Sequence, residues 1–256
     1  IEDMDALVGA VGDAQTAVVI GGGFIGVELA ENLLHRGLRV ALIEATPQVM
    51  APLDPEMAAI VHAELRRAGV DLRLGDSVTA IGADTVTLAS GAVIPAGMAV
   101  AAIGVRPDTT LAQDAGLTIG DRGGIVVDEV HRTCDPDIYA VGDAVEKVDA
   151  LDASATLVPL ANTANLQGRR VADHIAGLTG TGRPVLGTAI VGILGLQVAT
   201  TGWNEKRLRA AGVPYRAIHT HPASHAGYYP GSEPMSLKLL VDPDTDQILG
   251  AQGVGR

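Results

Sequence analysis

The chain holds 256 residues, 47% of them hydrophobic but only 2% aromatic, with 32 glycines and a formal net charge of −12. Such a core must be built from Ala, Val, Ile and Leu between many tight turns, and the length suits two or more domains. The acidic balance argues against nucleic acid or an anionic membrane surface as partner, the single Cys134 against a disulfide framework, and the want of an apolar run of roughly 20 residues against a membrane span.

In chain order, residues 1–15 read as a short helix and linker leading into a first strand, Ala17–Ile20. Gly21, Gly23 and Gly26 then spell G-x-G-x-x-G at the start of a helix, and a second apolar strand ends at Glu44, 18 residues after Gly26. This is the layout of a dinucleotide site. Gly21 supplies a tight turn, Gly23 lets a pyrophosphate approach the backbone, and Gly26 lets helix and strand pack closely. The helix N-terminus offers unpaired N–H groups to phosphate, and Glu44 offers a carboxylate to ribose hydroxyls.

After a loop at Thr46–Pro52, Asp54-Pro55-Glu56 signals a helix start with Asp54 as cap. That helix carries Met57, Ile60, Val61 and Leu65 on one face, ends near Gly69 and feeds a strand at Val70–Leu74. A meander of Ser77–Ile81, Thr85–Leu88 and Ala92–Ile94 follows, then a buried strand at Met98–Ile103 ending at Gly104. Short strands are predicted at Gly124–Val127 and Ile138–Val141, the second running into Gly142-Asp143, where a carboxylate can face the crevice at a strand's C-terminal edge. A helix spans about Leu160–Ile175, Gly177–Gly182 reads as a linker, and from Thr188 antiparallel strands surround one helix at Asn204–Ala211. Those strands are Ala189–Leu194, Gln197–Thr201, Tyr215–Thr220, Ser236–Val241 and Gln247–Gln252.

The order of signals resembles the FAD-dependent pyridine nucleotide–disulfide oxidoreductases, closest to the branch of coenzyme A disulfide reductase, NADH oxidase and NADH peroxidase. The segments that carry the resemblance are GGGFIGVELAE (21–31), AIGVRPDT (102–109), TCDPDIYAVGD (133–143), PLANTANLQGR (159–169), TGWNEKRL (201–208) and SHAGYYPG (224–231). It implies an α/β fold in three parts. Residues 1–107 would be a Rossmann-like NAD(P)H domain, 108–182 the C-terminal half of a Rossmann-like FAD domain, and 183–256 part of an α+β dimerisation domain joining a homodimer.

Carried over by the resemblance, Gly21, Gly23, Gly26 and Glu44 would hold NAD. Glu44 without a following arginine favours NADH over NADPH, since a 2′-phosphate would meet a carboxylate. Phe24 stands where the family places an aromatic that covers the flavin, Glu28 matches an acid near nicotinamide and flavin, and Gly104 lies where the chain leaves the nicotinamide domain. Gly142 and Asp143 would meet the ribityl chain of FAD. Pro159, Leu160 and Ala161 would lie beside the flavin pyrimidine ring, where the helix dipole stabilises negative charge. The family often has Gly-Pro where this chain has Asn162-Thr163, which puts the local backbone in question. Tyr229, after Tyr228 and before Pro230-Gly231, matches a tyrosine that reaches the partner subunit's thiol site.

Cys134 sits where the family commonly has Ser or Asn, and nothing in the sequence marks it for a lowered pKa, so it is not taken as the redox thiol. His219, His221 and His225 form H-x-H-x3-H without a supporting cysteine or carboxylate cluster, and read as a polar loop with no metal assigned. A second glycine fingerprint for FAD and a redox cysteine are missing, and Gly177–Gly182 has the wrong spacing for one. The chain therefore reads as an internal portion of a longer cytoplasmic enzyme. Hydride would pass from NADH to FAD and then, through a cysteine outside this chain, to a small disulfide, a persulfide, a peroxide or O2. The alternatives are a flavin-free NAD-binding sensor or structural module, and a one-fingerprint dehydrogenase, for which no Tyr-Lys, Cys or His pairing is evident.

Overall fold

A computed structural model describes residues 2–178, 180 and 182–256. Contacts divide the chain into two compact units, Ile1–Gly104 with Ile190–Arg256, and Val105–Ala189. Of the linker expected at Gly177–Gly182, Thr179 and Thr181 lie outside the described residues.

The first unit opens with α1 (Glu2–Val11), β1 (Thr16–Ile20), α2 (Phe24–His35), β2 (Arg39–Glu44), α3 (Pro55–Arg67) and β3 (Asp71–Leu74). A meander of β4 (Val78–Ile81), β5 (Thr85–Leu88) and β6 (Val93–Pro95) precedes β7 (Met98–Ala101). A parallel sheet runs in the order β3-β2-β1-β7. Side chains alternate across it, so each central strand feeds two cores. Ala17, Val19, Val40 and Leu42 join the helix-side cluster with Val27, Leu33, Val61 and Leu65. Val18, Ala41 and Ile43 face the other way and pack on Val86, Leu88 and Ile94 of the meander. The meander thus covers the sheet face that the helices leave bare.

Two expectations change here. The strand expected to be buried over Met98–Ile103 stops at Ala101 and lies at the sheet edge, alternating buried Met98 with exposed Ala99 and Ala101, and Ile103 is 78% exposed. Asp54 does occupy the cap position of α3, but its side chain makes no capping bond. It is fully buried and serves Gln252, Lys238 and the Glu205 N–H instead.

The rest of this unit is β10 (Ala189–Ile193), β11 (Leu196–Gly202), α6 (Glu205–Ala210), β12 (Arg216–Thr220), β13 (Met235–Val241) and β14 (Ile248–Gly255). They form a five-stranded sheet in the order β10-β11-β14-β13-β12, antiparallel along β11, β14, β13 and β12. Val191, Ile193, Leu196, Val198 and Val254 share one apolar cluster with Met57, Val61 and Leu65 of α3. Burial of this kind contributes about 25 cal/mol per Å² of apolar surface.

The second unit contains α4 (Thr110–Asp114), a two-residue ladder of β8 (Lys147–Val148) with β9 (Ala155–Thr156), and α5 (Ala161–Ile175). The strands expected at Gly124–Val127 and Ile138–Val141 are not realised as strands. Their pairing is limited to single bridges, Ile119 with Ile125, Ile125 with Val145, and Arg132 with Tyr139. A ladder needs successive residues paired in register, and here only isolated residues pair, Ile125 on both sides and Tyr139 on one.

Candidate functional site: a glycine turn with a braced acid

The turn between β1 and α2 is set by backbone that requires glycine at Gly21 and Gly26. Gly21 has φ +106, and a Cβ there would run into the Ala102 carbonyl. A Cβ on Gly26 would meet the Gly21 carbonyl, so the third glycine is what lets α2 close on the turn. At Gly23, by contrast, no protein atom lies within 4 Å of a Cβ position. Gly23 is the N-cap of α2 and brings no side-chain bond, leaving the first-turn N–H groups open. This arrangement fits a pyrophosphate.

Glu44 ends β2 half-buried beside that turn. Its Oε2 accepts from the Gly22 N–H at 2.7 Å and its Oε1 from the Thr46 N–H at 2.8 Å. The carboxylate is thereby fixed with lone pairs left for ribose hydroxyls. Gly22, which the spacing argument passed over, is crowded as Gly21 and Gly26 are: a Cβ there would press on Val49 at 2.7 Å. The Met50 N–H donates to the Gly22 carbonyl at 2.8 Å, and Met50 is buried at φ 53. Only the GGG run hinted at this second contact.

Phe24 is the first residue of α2 and is half-buried against the helix-side core. Glu28 is exposed one turn later, and its backbone carbonyl accepts from the Asn32 side chain. Gly104 has φ +110 with open space around its Cβ position.

In the second unit, Gly142 has φ +92. Its N–H donates to Gln167 Oε1 at 2.9 Å, and its carbonyl accepts from Lys147 Nζ at 2.8 Å. Burial pushes the Lys147 ammonium below the usual lysine range, against the pull of Asp143. Asp143 itself is exposed. Pro159 and Leu160 lead into α5, with Leu160 as an N-cap that has no side-chain bond and Ala161 as the first helical residue. In place of Gly-Pro, Asn162 Oδ1 accepts from the Thr163 N–H at 2.7 Å, and Asn162 Nδ2 donates to the Thr188 carbonyl at 3.1 Å. For a flavin, these residues offer an exposed carboxylate and an uncapped helix start.

Tyr229 is 61% exposed, with its ring centroid 4.9 Å from that of Tyr228 and 6.5 Å from that of His225. The three histidines go separate ways: His219 to Glu56 at 3.0 Å, His221 to Ser236 at 3.2 Å and His225 to Ser224 at 3.1 Å. Cys134 is exposed, and hydrogen bonding with Thr118 holds its thiol below the usual range, a perturbation the sequence did not signal.

Residues 1–168 match the pyridine nucleotide-disulphide oxidoreductase family, and residues 188–256 match the dimerisation domain of the same family. The chain is 35% identical to an NADH oxidase of Methanocaldococcus jannaschii over 93% of its length and 53% of that protein's. Its backbone superposes on the reduced CoADR-RHD of Bacillus anthracis with a TM-score of 0.97 at 45% identity, covering 100% of this chain and 47% of that one. An NAD-dependent persulfide reductase from A. fulgidus superposes with a TM-score of 0.95 at 36% identity, covering 99% and 48%. The chain therefore spans about half the length of the proteins it matches. By these matches over nearly its whole length, it belongs to the pyridine nucleotide-disulphide oxidoreductase family.

Proposed function

We propose that this chain is the NADH-binding part, the C-terminal part of the FAD domain and part of the dimerisation domain of an NADH-dependent flavoprotein oxidoreductase. The boundaries are residues 1–107, 108–182 and 183–256, the last joining two copies as a homodimer. One observation carries the reading: a glycine turn open at Gly23 stands beside a carboxylate, Glu44, held by the Gly22 and Thr46 N–H groups.

In this reading Gly21, Gly23 and Gly26 shape the pyrophosphate cradle, and Glu44 accepts from the adenosine ribose. The same carboxylate repels a 2′-phosphate, which favours NADH. Phe24 would cover the flavin face, while Glu28 and Gly104 would border the nicotinamide. Gly142 and Asp143 hold the ribityl chain, with Gln167 and Lys147 fixing the backbone of Gly142. Pro159, Leu160 and Ala161 bring the start of α5 to the flavin, where its N–H groups favour negative charge. When bound, NADH supplies a hydride and FAD a reversible two-electron acceptor. Tyr229 serves the acceptor side, where a cysteine outside this chain reduces a small disulfide, a persulfide, a peroxide or O2. That relatives bear the names NADH oxidase and persulfide reductase supports this range of acceptors.

The test is stopped-flow mixing of the full-length flavoprotein with NADH. Bleaching of the flavin absorbance is expected. NADH binding without any bound yellow chromophore would favour the flavin-free sensor and overturn this proposal.

A further inference from the structure

Residues 45–54, the loop that follows Glu44, form one wall of the glycine turn. Val49 packs where a Gly22 Cβ would fall, and Met50 hydrogen-bonds the Gly22 carbonyl. Met50 holds its left-handed backbone only because its surroundings fix it. Part of that fixing is local: Gln48 Nε2 donates to the Leu53 carbonyl at 3.0 Å, and the Val49 N–H donates to His62 Nε2 at 3.1 Å.

The far half of the loop is held by side chains from α6, its cap and the C-terminal sheet, some 150 to 200 residues later in sequence. Lys206 Nζ donates to the carbonyls of Ala51 at 2.9 Å and Leu53 at 3.0 Å. Asn204 Nδ2 donates to Ala51 and Pro52, both at 3.1 Å. Gln252 accepts from the Asp54 N–H at 2.7 Å and donates to the Asp54 carboxylate at 2.7 Å. Behind them the fully buried Lys238 ammonium meets Asp54 at 2.9 Å, together with Glu56 and Glu205. The three carboxylates converge within 4.8 Å of one another around that ammonium, which supplies their cation. A buried charge set of this kind keeps its shape only with every partner present.

We propose that Gln252, Lys238 and Lys206 are positioning residues of the dinucleotide site, acting through the 45–54 loop to hold Gly22 and Glu44 in register. Helix α6 and the C-terminal sheet thus tune nucleotide affinity from outside the pocket. This inference rests on reading Gly21–Glu44 as the NADH site.

Titration of this 256-residue chain with NADH and with ADP-ribose tests both levels. Wild type binds NADH, and Glu44→Ala loses most of that affinity. Lys206→Met and Gln252→Leu weaken both ligands about five- to tenfold, the size expected of one or two lost hydrogen bonds. ADP-ribose is affected equally because the loop borders the adenosine half. Val198→Ala, in the buried face of β11, lowers Tm without moving either affinity. Lys206→Met removes a partly exposed side chain and so keeps the test open if Lys238→Met does not fold. Wild-type affinity in Lys206→Met and Gln252→Leu, with Glu44→Ala impaired, overturns the positioning role and leaves the site standing. No NADH binding by wild type, or none lost in Glu44→Ala, overturns the site itself.

Discussion

The two compact units satisfy their backbones differently. In residues 16–101, β1 is flanked by β2 and β7, and β2 by β1 and β3, so both central strands are paired on either side. In residues 105–189 the corresponding extended segments meet through single bridges, and among the described residues the one named ladder is the two-residue pair β8–β9. The first unit also walls its glycine turn with its own loop, whereas Asp143 and the start of α5 are exposed. A paired sheet and a walled turn are the frame on which the proposed nucleotide site rests. Under the proposed function, the N-terminal half of the FAD domain provides the neighbours that residues 124–127 and 138–141 do not find here.

Glycine substitutions give the sharpest contrast between the units. Gly26→Ala forces a Cβ into the Gly21 carbonyl and is expected to cost about 3 kcal/mol in urea unfolding, with loss of NADH binding. Gly142→Ala meets open space and costs only the left-handed backbone penalty, about 1–2 kcal/mol. Gly23→Ala separates the two quantities: φ −73 and open space leave stability unchanged, while the new methyl stands in the path of the pyrophosphate. Equal unfolding costs for Gly26→Ala and Gly142→Ala would erase the distinction between the units.

Glu44→Ala comes next. Loss of a charged acceptor of ribose hydroxyls removes about 1.5–3 kcal/mol of binding, a ten- to hundredfold weaker NADH affinity by calorimetric titration.

The buried ion cluster predicts a pH effect. Burial works to raise Glu56, but hydrogen bonds from Lys238 and His219 outweigh it and bring the carboxyl down to about 2 from 4.5. With the folded value depressed, its stabilisation is complete above pH 4.5 and is lost as the pH falls toward 2. Glu56 is 46% exposed, so the effect after solvent screening is about 1 kcal/mol. Urea midpoints at pH 7, 4.5 and 3 should show a flatter acid slope for Glu56→Gln than for wild type.

The smallest effect belongs to the second unit. His131 is buried at φ 67, and burial lowers its pKa below 6.5 against the pull of the Asp128 backbone. Its folded value is depressed, so stability is full above 6.5 and falls as the pH drops through the lower folded value. His131→Leu should flatten that slope, read by hydrogen exchange in residues 105–189 above and below pH 6.5. The same slope in His131→Leu as in wild type would contradict that titration.

Much of the first unit was legible in the sequence because its signals are local. The apolar runs at β1 and β2, the glycine spacing and the Gly69 stop each act within a few residues, and most elements fall within a residue or two of expectation, β14 running three residues further. What escaped is long-range. Asp54 looks like a helix cap in its own neighbourhood, and only the arrival of Lys238 and Gln252 redirects its carboxylate. Lys238 itself reads as a surface lysine on an alternating strand, since nothing near it in sequence announces three carboxylates. The bracing of Glu44 by the Gly22 and Thr46 N–H groups likewise depends on a backbone path that no spacing rule encodes. Strands at 124–127 and 138–141 were called for by apolar pattern alone, which cannot tell whether a partner strand is at hand.

The central claim is that these residues hold a self-sufficient NADH site and only part of an FAD site. Parallel titrations of the 256-residue protein with NADH and with FAD test it most directly. The account predicts saturable NADH binding that is sensitive to Glu44→Ala, with FAD binding far weaker. FAD held as tightly as NADH, or NADH not held at all, would contradict it.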